Sequence, residues 1–330
     1  MSSQSPKIVV ITPVKNEAWI LERFLSVTSQ FADYIIVADQ NSTDSSVAIC
    51  KKFPKVILIE NKSGQFNEAE RQLLLIQTAR ELIPDHKIIL ALDADEILAA
   101  NATQTPGWQT MLQAEPGTVL CFEKPDLYQT PDQCIRYTTP WPLGYVDDGV
   151  EHKPKKIHSI RIPMPDYAPR LHIHDVKVLH YGYIRSSGQT AKVRFYSVVE
   201  TVLKTRHVLL RRSGYAANID WTKNGTVSPS QPEWLAGWET LGIDMRTIRC
   251  EHYYWYDFEV LKHFAQYGVR RFWLEDIWNF DWEACRQYAK SKNISPIPEY
   301  PISPPPKMLA QVMDGLAYFY TCFRKVFKGA

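Results

Sequence analysis

The stretch KIILALDADE, Lys87–Glu96, decides the predicted fold, because an apolar run ends there in three carboxylates within four residues. Its first part, Lys87–Leu92, follows a Pro-Asp turn and is too short for a helix, which predicts a buried strand. Side chains at i and i+2 of an extended backbone point to the same side. Asp93 and Asp95 are therefore expected to converge at the carboxyl end of this strand.

The charge of the Asp93 and Asp95 pair needs a partner. Two like charges about 4 Å apart cost about 4 kcal/mol at an effective dielectric constant of about 20, so the pair requires solvent, a shared proton or a cation. Oxygen ligands suit Mg²⁺ or Mn²⁺. The alternative is that both residues cap the following segment, and this stretch alone leaves the two interpretations open.

The segments around this stretch predict an α/β fold. Apolar runs predict further strands at Lys7–Thr12, Tyr34–Ala38 and Val56–Ile59. Helical spacing over Phe66–Leu82 predicts a helix, and such alternation indicates a doubly wound, mostly parallel sheet. Ligands bind at the carboxyl ends of parallel strands, where this chain has polar clusters at 13–17, 39–44 and 93–96. Because capping gives no reason to gather carboxylates on one edge, this arrangement favours the metal.

Composition excludes several other classes of protein. The chain has 330 residues, 45% hydrophobic and 22% charged, which is typical of a globular protein. A net charge of +2 gives no reason to expect a nucleic-acid partner. The sequence has no uninterrupted apolar run of about 20 residues, so it predicts no membrane span. The six cysteines lack CxxC spacing. We expect a cytoplasmic protein with reduced thiols.

Four motifs together carry a resemblance to a known family. They are Thr12–Glu17 (TPVKNE), Asp39–Asp44 (DQNSTD), Arg71 and Leu92–Glu96 (LDADE). In this order and spacing they resemble the family 2 glycosyltransferases, which have a GT-A type nucleotide-sugar-binding fold and act with inversion. The resemblance covers about the first 100 residues.

The resemblance implies a role for each matching residue. Residues bordering the nucleoside would be Thr12, Pro13, Val14 and Glu17. Asp39 would accept a hydrogen bond from the imide of the base, although Gln40 and Asn41 replace the Asp and Gly that often follow. Arg71 would lie near the base or the diphosphate. The segment Asp93, Ala94 and Asp95 would hold the metal and the diphosphate. The alternatives are a capping turn for Asp39 and a solvated or ion-paired Arg71.

Residues 124–169 follow a strand predicted over Thr118–Glu123 and lack sustained periodicity, which predicts a long functional loop. An inverting transfer needs a carboxylate to take the proton of the acceptor. Asp147, Asp148 and Glu151 are the candidates, with Asp148 preferred. The alternative is a surface turn, because Asp-Asp-Gly is common in turns.

A strand-like run over Arg170–Tyr183 contains His180. Members of the resembled family often have a histidine at the end of such a strand, where it completes the coordination of the metal. The resemblance therefore implies that His180 joins Asp93 and Asp95 as a metal ligand, whereas a lone histidine is more often structural.

The rest of the chain is rich in aromatic residues and is predicted to be helical. We predict a catalytic domain at 1–185, a helical region at 186–295 with a helix over Gln189–Arg212, a proline-rich linker at 296–306 and an amphipathic helix at 307–330. The apolar face of this last helix is expected to dock on the catalytic domain. The alternative is contact with the inner face of a membrane, because the helix ends in Arg324, Lys325 and Lys328.

These residues predict a metal-dependent, inverting glycosyltransferase. Its donor would be a UDP-sugar, since an imide base matches Asp39, and its metal Mn²⁺ or Mg²⁺. The acceptor, whether a glycan, a lipid-linked sugar or a peptide, is left open. One alternative is a sugar-phosphate nucleotidyltransferase, but PVKNE follows the first strand in place of a Gly-rich phosphate loop. The other is a non-catalytic carbohydrate-binding protein on a transferase-like fold.

Overall fold

The computed structural model describes residues 5–61, 66–215, 222 and 225–327, with side chains described as far as Phe323. Within these ranges the strands are β1 (Lys7–Val14), β2 (Tyr34–Asp39), β3 (Val56–Glu60), β4 (Lys87–Ala91), β5 (Glu96–Leu98), β6 (Val119–Glu123), β7 (Asp126–Tyr128), β8 (Thr130–Arg136), β9 (Trp141–Val146), β10 (Arg170–His180) and β11 (Thr226–Pro229). The α-helices are α1 (Leu21–Thr28), α2 (Ser46–Cys50), α3 (Glu68–Leu82), α4 (Pro106–Leu112), α5 (Ser186–Leu203), α6 (Val208–Gly214), α7 (Ala236–Thr240), α8 (Trp255–Tyr267), α9 (Trp282–Ser291) and α10 (Lys307–Phe327).

The chain divides into two compact units. The first consists of residues 1–184 and 222–249, and the second of residues 185–221 and 250–330. The first break lies close to the domain boundary expected after residue 185. Residues 222–249, which were expected in the helical region, instead belong to the first unit, because β11 pairs with β8 there.

The first unit is built on a mixed sheet with the strand order β11-β8-β7-β10-β6-β9-β4-β1-β2-β3. The four strands β3, β2, β1 and β4 are mutually parallel, as crossover connections through helices require. On the other side of β4, β9 runs antiparallel to both β4 and β6, and β10 is parallel to β6. The carboxyl ends of β1, β2, β4 and β10 consequently share one edge of the sheet.

Alternate residues of β1 face two separate apolar cores. Ile8 and Val10 pack in the core that contains α1, whereas Val9 and Ile11 pack in the core that contains α3. All four are at most 7% exposed. Helices therefore cover both faces of the sheet, which confirms the predicted α/β class and is consistent with a GT-A type fold.

Residues 124–169 are not the loop that the sequence predicted, because β7, β8 and β9 lie within them. These strands are short and pair mainly with distant segments, such as β9 with β4. Only the part after Val146 is free of regular structure. This part passes along α3, where Arg80 donates to the Val150 carbonyl at 2.9 Å and Glu68 accepts from Ser159 N at 3.0 Å.

His152 is buried in the contact between this segment and α3. It is 6% exposed, and its Nε2 lies 3.1 Å from Gln72 Oε1. Burial, together with the charge of Arg80, lowers the pKa of His152 to about 4. The imidazole is therefore neutral in the folded protein at neutral pH.

We expect His152→Asn to reduce the acid sensitivity of the fold. Between pH 6.5 and about 4 the unfolded chain binds a proton at His152 that the folded chain does not, so wild-type stability falls as the pH decreases through this window. Over this window the free energy of unfolding of the wild type is expected to fall by on the order of 2 kcal/mol more than that of the variant. Urea unfolding at pH 7 and pH 4.5 measures it, and identical pH dependence of the two proteins would contradict the assignment.

β10 contains an irregularity next to β6. Ile173 pairs with Phe122, but the next pair joins Lys177 to Glu123, so residues 174–176 bulge out of the ladder. Within the bulge, Asp175 Oδ2 accepts from Gly107 N at 2.8 Å, at the start of α4. Position 107 requires glycine, because a Cβ there would collide with the Asp175 carboxylate.

The second unit is helical, and a minority of its described aromatic residues form its core, while most are half-buried or exposed. The helix predicted over Gln189–Arg212 is two helices, α5 and α6, because the chain turns at Lys204, which has a left-handed φ of 54°. The ring centroid of Phe264 lies 5.4 Å from that of Phe272 and 5.2 Å from that of Trp282. These three side chains are at most 3% exposed.

α10 packs against α6 within the second unit, where Asp314 pairs with Arg212 and Met313 is buried. Other apolar residues of its predicted face stay exposed, including Val312 at 52% and Phe319 at 73%. Phe327 and the terminal cations of this helix lie outside the described side chains. Across the ranges described above, none of the helices combines the length and the apolar character that crossing a bilayer would need.

Candidate active site

The polar clusters that end β1, β2 and β4 form the candidate site. β1 lies between β2 and β4 and is parallel to both, with Val14 opposite Asp39 in the register. Neighbouring strands are about 4.8 Å apart, so the ends of β2 and β4 are about 10 Å from each other. Three of the predicted clusters therefore lie within the span of one small ligand.

The loops after β1 and β2 are joined to each other. Asn16 Oδ1 accepts from Thr43 N at 2.7 Å, and Asn16 N donates to Ser42 Oγ at 2.8 Å. Asn16 and Asn41 both have φ near 55°, a left-handed conformation that asparagine tolerates better than most residues. Glu17, predicted at the nucleoside, accepts from Trp19 Nε1 at 2.7 Å. The result is a rigid double loop beside Pro13 and Val14.

Three polar atoms at this edge are buried with no hydrogen-bond partner among the described residues: Thr12 Oγ1, Asp39 Oδ1 and Arg71 Nε. The other Asp39 oxygen accepts from Ser42 N at 3.1 Å, and Arg71 Nη1 donates to Gln40 Oε1 at 3.1 Å. A buried carboxylate oxygen without a donor is costly. The structure thus places Asp39 and Arg71 on one side of the edge, with hydrogen-bonding capacity left for a ligand.

Asp93, predicted to converge with Asp95, forms an ion pair with Arg161. The Arg161 guanidinium is 3.0 Å from Asp93 Oδ1 and binds both oxygens of Glu96, at 2.7 and 3.0 Å. Lys124 Nζ adds a second cation 3.2 Å from Glu96. Burial would raise the pKa of Glu96, but Arg161 and Lys124 outweigh it and hold that pKa well below its usual range. Ala94 is buried between the two acidic residues at 3% exposure.

Asp95, predicted with His180 as a metal ligand, faces that histidine. Its Oδ2 lies 3.5 Å from His180 Nε2, and His180 Nδ1 lies 2.6 Å from Asp126 Oδ1. Backbone pairing holds this geometry, since His180 is opposite Glu96 in the β5–β10 ladder. Burial and the Lys124 charge lower the pKa of His180, but the carboxylates of Asp95 and Asp126 outweigh both and raise it to about 9.

These residues fit a divalent cation only in part. Histidine that ligates a metal usually donates its second ring nitrogen to a carboxylate, which is the role Asp126 can serve here. Asp95 and His180 thus offer one oxygen and one nitrogen, and Mg²⁺ sites often use few protein ligands together with substrate phosphates. No group of three His, Cys, Asp or Glu side chains within the described ranges is arranged to hold a metal. Asp93, predicted as a third ligand, is engaged by Arg161 instead.

The predicted base residues lie at the opposite edge of the sheet, which corrects that prediction. β9 runs antiparallel to β4, so Asp147 and Asp148 follow β9 beside the amino end of β4, where Asp147 N donates to the Lys87 carbonyl at 3.0 Å. The length of β4 therefore separates this edge from Asp93 by about 17 Å. Glu151 follows Val150 on the same side and lies 3.9 Å from Lys153.

The contacts of Asp147 and Asp148 are structural. Asp147 is 2.7 Å from Arg80 and 3.4 Å from Lys87, and these hydrogen bonds and charges lower its pKa despite its burial. Asp148 accepts from the Tyr145 hydroxyl at 2.6 Å and from Val150 N at 2.9 Å. Both carboxylates fasten the turn after β9.

We therefore expect Asp148→Asn to leave any transferase activity within about twofold of wild type and to lower stability by about 1 kcal/mol, the usual worth of a hydrogen bond. Steady-state kinetics together with urea unfolding test both parts. Loss of turnover in a variant of near-native stability would return Asp148 to the candidate base residues.

Asp126, Lys124 and Arg161 were not predicted as site residues. All three lie in the tract that the sequence suggested was a loop, and their partners are 28 to 65 positions away in the chain. Lys124 and Asp126 flank a proline just after β6, a strand-end position of the kind that marked the other clusters. Their position at the end of a strand is the signal from which the sequence could have predicted them.

The comparisons with known proteins bear on this edge of the sheet. Residues 9–151 match the family model of glycosyl transferase family 2. The family 2 match includes β1, β2 and β4 together with the polar loops that follow them. It supports a glycosyltransferase in this part of the chain. No curated protein matches the sequence.

Solved structures match only distantly. A 4-diphosphocytidyl-2C-methyl-D-erythritol synthase is 16% identical, over 43% of this chain and 76% of its own, with a TM-score of 0.31. A glucosyl-3-phosphoglycerate synthase from Mycobacterium tuberculosis, in complex with Mn²⁺, uridine diphosphate and glucosyl-3-phosphoglycerate, is 18% identical with a TM-score of 0.26. That match covers 37% of this chain and 44% of the synthase. Likenesses at this level carry no argument about activity beyond the family 2 match.

Proposed function

We propose that the protein is a metal-dependent, inverting glycosyltransferase that uses a nucleotide-sugar donor, a UDP-sugar in the first instance. The observation that carries the proposal is the joint position of Asp39 and the Asp95–His180 pair. Both lie at the edge of the sheet where the parallel strands within the family 2 match end. A carboxylate for the base and ligands for a diphosphate-bound metal are the two things that binding such a donor requires.

In this proposal the loops after β1 and β2 bind the nucleoside. Asp39 Oδ1 is buried without a partner among the described residues and accepts the imide N–H of uracil. Thr12, Pro13, Val14 and Glu17 border the nucleoside from β1. Arg71 Nη1 donates to Gln40 Oε1 at 3.1 Å, and its Nε, buried without a partner among the described residues, would donate to the ligand. The imide requirement favours a uridine nucleotide over a cytidine nucleotide, whose base has no imide proton.

Asp95 and His180 would hold Mn²⁺ or Mg²⁺. Held there, such an ion would supply Lewis-acid stabilisation of the negative charge on the departing diphosphate. Asp126 accepts from His180 Nδ1 and so keeps Nε2 directed at Asp95. Asp93 is paired with Arg161, and its side chain, 38% exposed, would contact the ribose or the diphosphate of the donor.

Turnover of nucleotide-sugars tests the proposal. The protein is incubated with single UDP-sugars in Mn²⁺, and the release of UDP is measured with and without a chelator. We expect slow, metal-dependent hydrolysis of at least one donor, and none by His180→Ala. Consumption of a nucleoside triphosphate with a sugar phosphate would instead indicate a nucleotidyltransferase. Binding of sugars without any turnover would indicate a carbohydrate-binding protein.

A further inference from the structure

A cavity of about 640 Å³ lies in the first unit between α1 and the segment 241–249. Its wall includes Trp19, Arg23, Ser26, Phe53, Ile243 and Arg249. Only Trp19 among these residues touches the edge described above, through its hydrogen bond to Glu17, and the volume is that of a small-molecule site. The cavity is therefore a separate feature that the proposed transfer reaction does not use.

Arg23 is the unusual component of this wall. It is 8% exposed, and its guanidinium is oriented by the Tyr181 ring, whose centroid is 4.9 Å away. Nη2 donates to the Thr247 carbonyl at 2.7 Å, and Nε donates to the Asp244 carbonyl. Nη1 is buried with no partner among the residues described. Two neutral carbonyls thus accept from two of the five N–H groups of a buried cation.

The counter-charge of Arg23 is incomplete. Its nearest carboxylate, Asp244, lies 3.8 Å from Nη2, is 60% exposed and already accepts from the backbone N–H groups of Arg246 and Thr247. Glu22, also in the wall, is paired with Lys52 at 3.3 Å. Burial lowers the pKa of Arg23. A buried guanidinium without a hydrogen-bonded anion is costly, and a bound anion would remove that cost.

We propose that this cavity binds a small anionic molecule that carries a carboxylate or a phosphate group, with Arg23 as its charge partner. Arg249 lies at the exposed rim and adds a second cation. Trp19, fixed by the Glu17 carboxylate at 2.7 Å, and Phe53 offer apolar surface to the uncharged part of the molecule. Ser26 supplies a hydroxyl for a polar substituent.

Calorimetric titration with glycerol 2-phosphate and with succinate, at constant ionic strength, tests this proposal. Glycerol is the neutral control. We expect saturable binding of at least one of the two anions and none of glycerol. Arg23→Met should weaken that binding at least tenfold, because it removes a charge-assisted hydrogen bond. Failure of both anions to bind the wild type would overturn the proposal.

Two further variants locate the binding. Ser26→Trp fills the cavity while keeping Arg23, and it should also abolish binding, so the test does not depend on the folding of Arg23→Met. Arg71→Gln changes the arginine at the candidate active site and should leave binding of the anion unchanged. Circular dichroism checks that each variant is folded. Binding that survives in Ser26→Trp but is lost in Arg71→Gln would place the anion at the strand ends and contradict the proposal.

Discussion

Asp95→Asn is expected to reduce metal-dependent release of UDP from a UDP-sugar by about a thousandfold. A metal that stabilises transition-state charge is worth several kcal/mol, and about 4 kcal/mol corresponds to this factor. The amide retains one neutral oxygen toward His180 but loses the charge that attracts the ion. Steady-state rates over a range of Mn²⁺ concentrations measure the effect. The fold should persist, because asparagine has nearly the same size and shape as aspartate.

Asp126→Asn is the matched control for this result. Asp126 lies behind His180, at 2.6 Å from Nδ1, and does not face Asp95. Loss of such an outer partner typically lowers metal affinity or activity by about 10 to 100-fold. The order of effects, Asp95 larger than Asp126, distinguishes a ligand from a residue that orients one. An unchanged response to Mn²⁺ in Asp95→Asn would remove the metal from the proposed function.

Arg161→Met is expected to lower the free energy of unfolding by about 3 kcal/mol. Removing one partner of a buried ion pair typically costs about 3 to 5 kcal/mol, because the other charge is left uncompensated. Here the stranded group is Glu96, whose side chain is 1% exposed, and Lys124 at 3.2 Å compensates it in part. Urea unfolding followed by circular dichroism measures the change.

The double variant Arg161→Met with Glu96→Gln separates charge from packing. If the cost of the single change arises from the uncompensated Glu96 carboxylate, the second change should recover at least half of it. If the double variant is no more stable than Arg161→Met, the loss of stability arises from the packing of the methionine and not from the Glu96 charge. A single variant as stable as wild type would show that Arg161 does not stabilise the Asp93–Glu96 turn.

The sequence predicted the parallel half of the sheet and its polar edge, because both depend on local patterns. Apolar runs such as Tyr34–Ala38 are long enough to specify a strand, and turn-forming residues follow them directly. The Asp95–His180 contact was predicted through a family resemblance, and strand pairing across the β5–β10 ladder provides it.

The remaining features depend on strand direction and on distant partners. Asp148 was predicted at the site because it is a carboxylate in a tract interpreted as a functional loop, but β9 is antiparallel to β4 and so ends at the other edge. No local pattern specifies that direction. Arg161 finds its partners 65 and 68 positions earlier in the chain. The break at Lys204 was missed because the residues on both sides of it keep helical spacing.

The bulge at 174–176 has a consequence for His180. Before the bulge Ile173 packs in the core that contains α1, and after it Val176 and Val178 do so, which is a change from an odd to an even position, although Leu179 at the end of the strand packs there as well. Because alternate residues of a strand point to opposite faces, the bulge sets the phase that His180 inherits. Deletion of one bulged residue would rotate His180 by half a turn away from Asp95 without altering either side chain. An irregularity beside α4, which ends four residues before His180 along the strand, thus determines which way the histidine points.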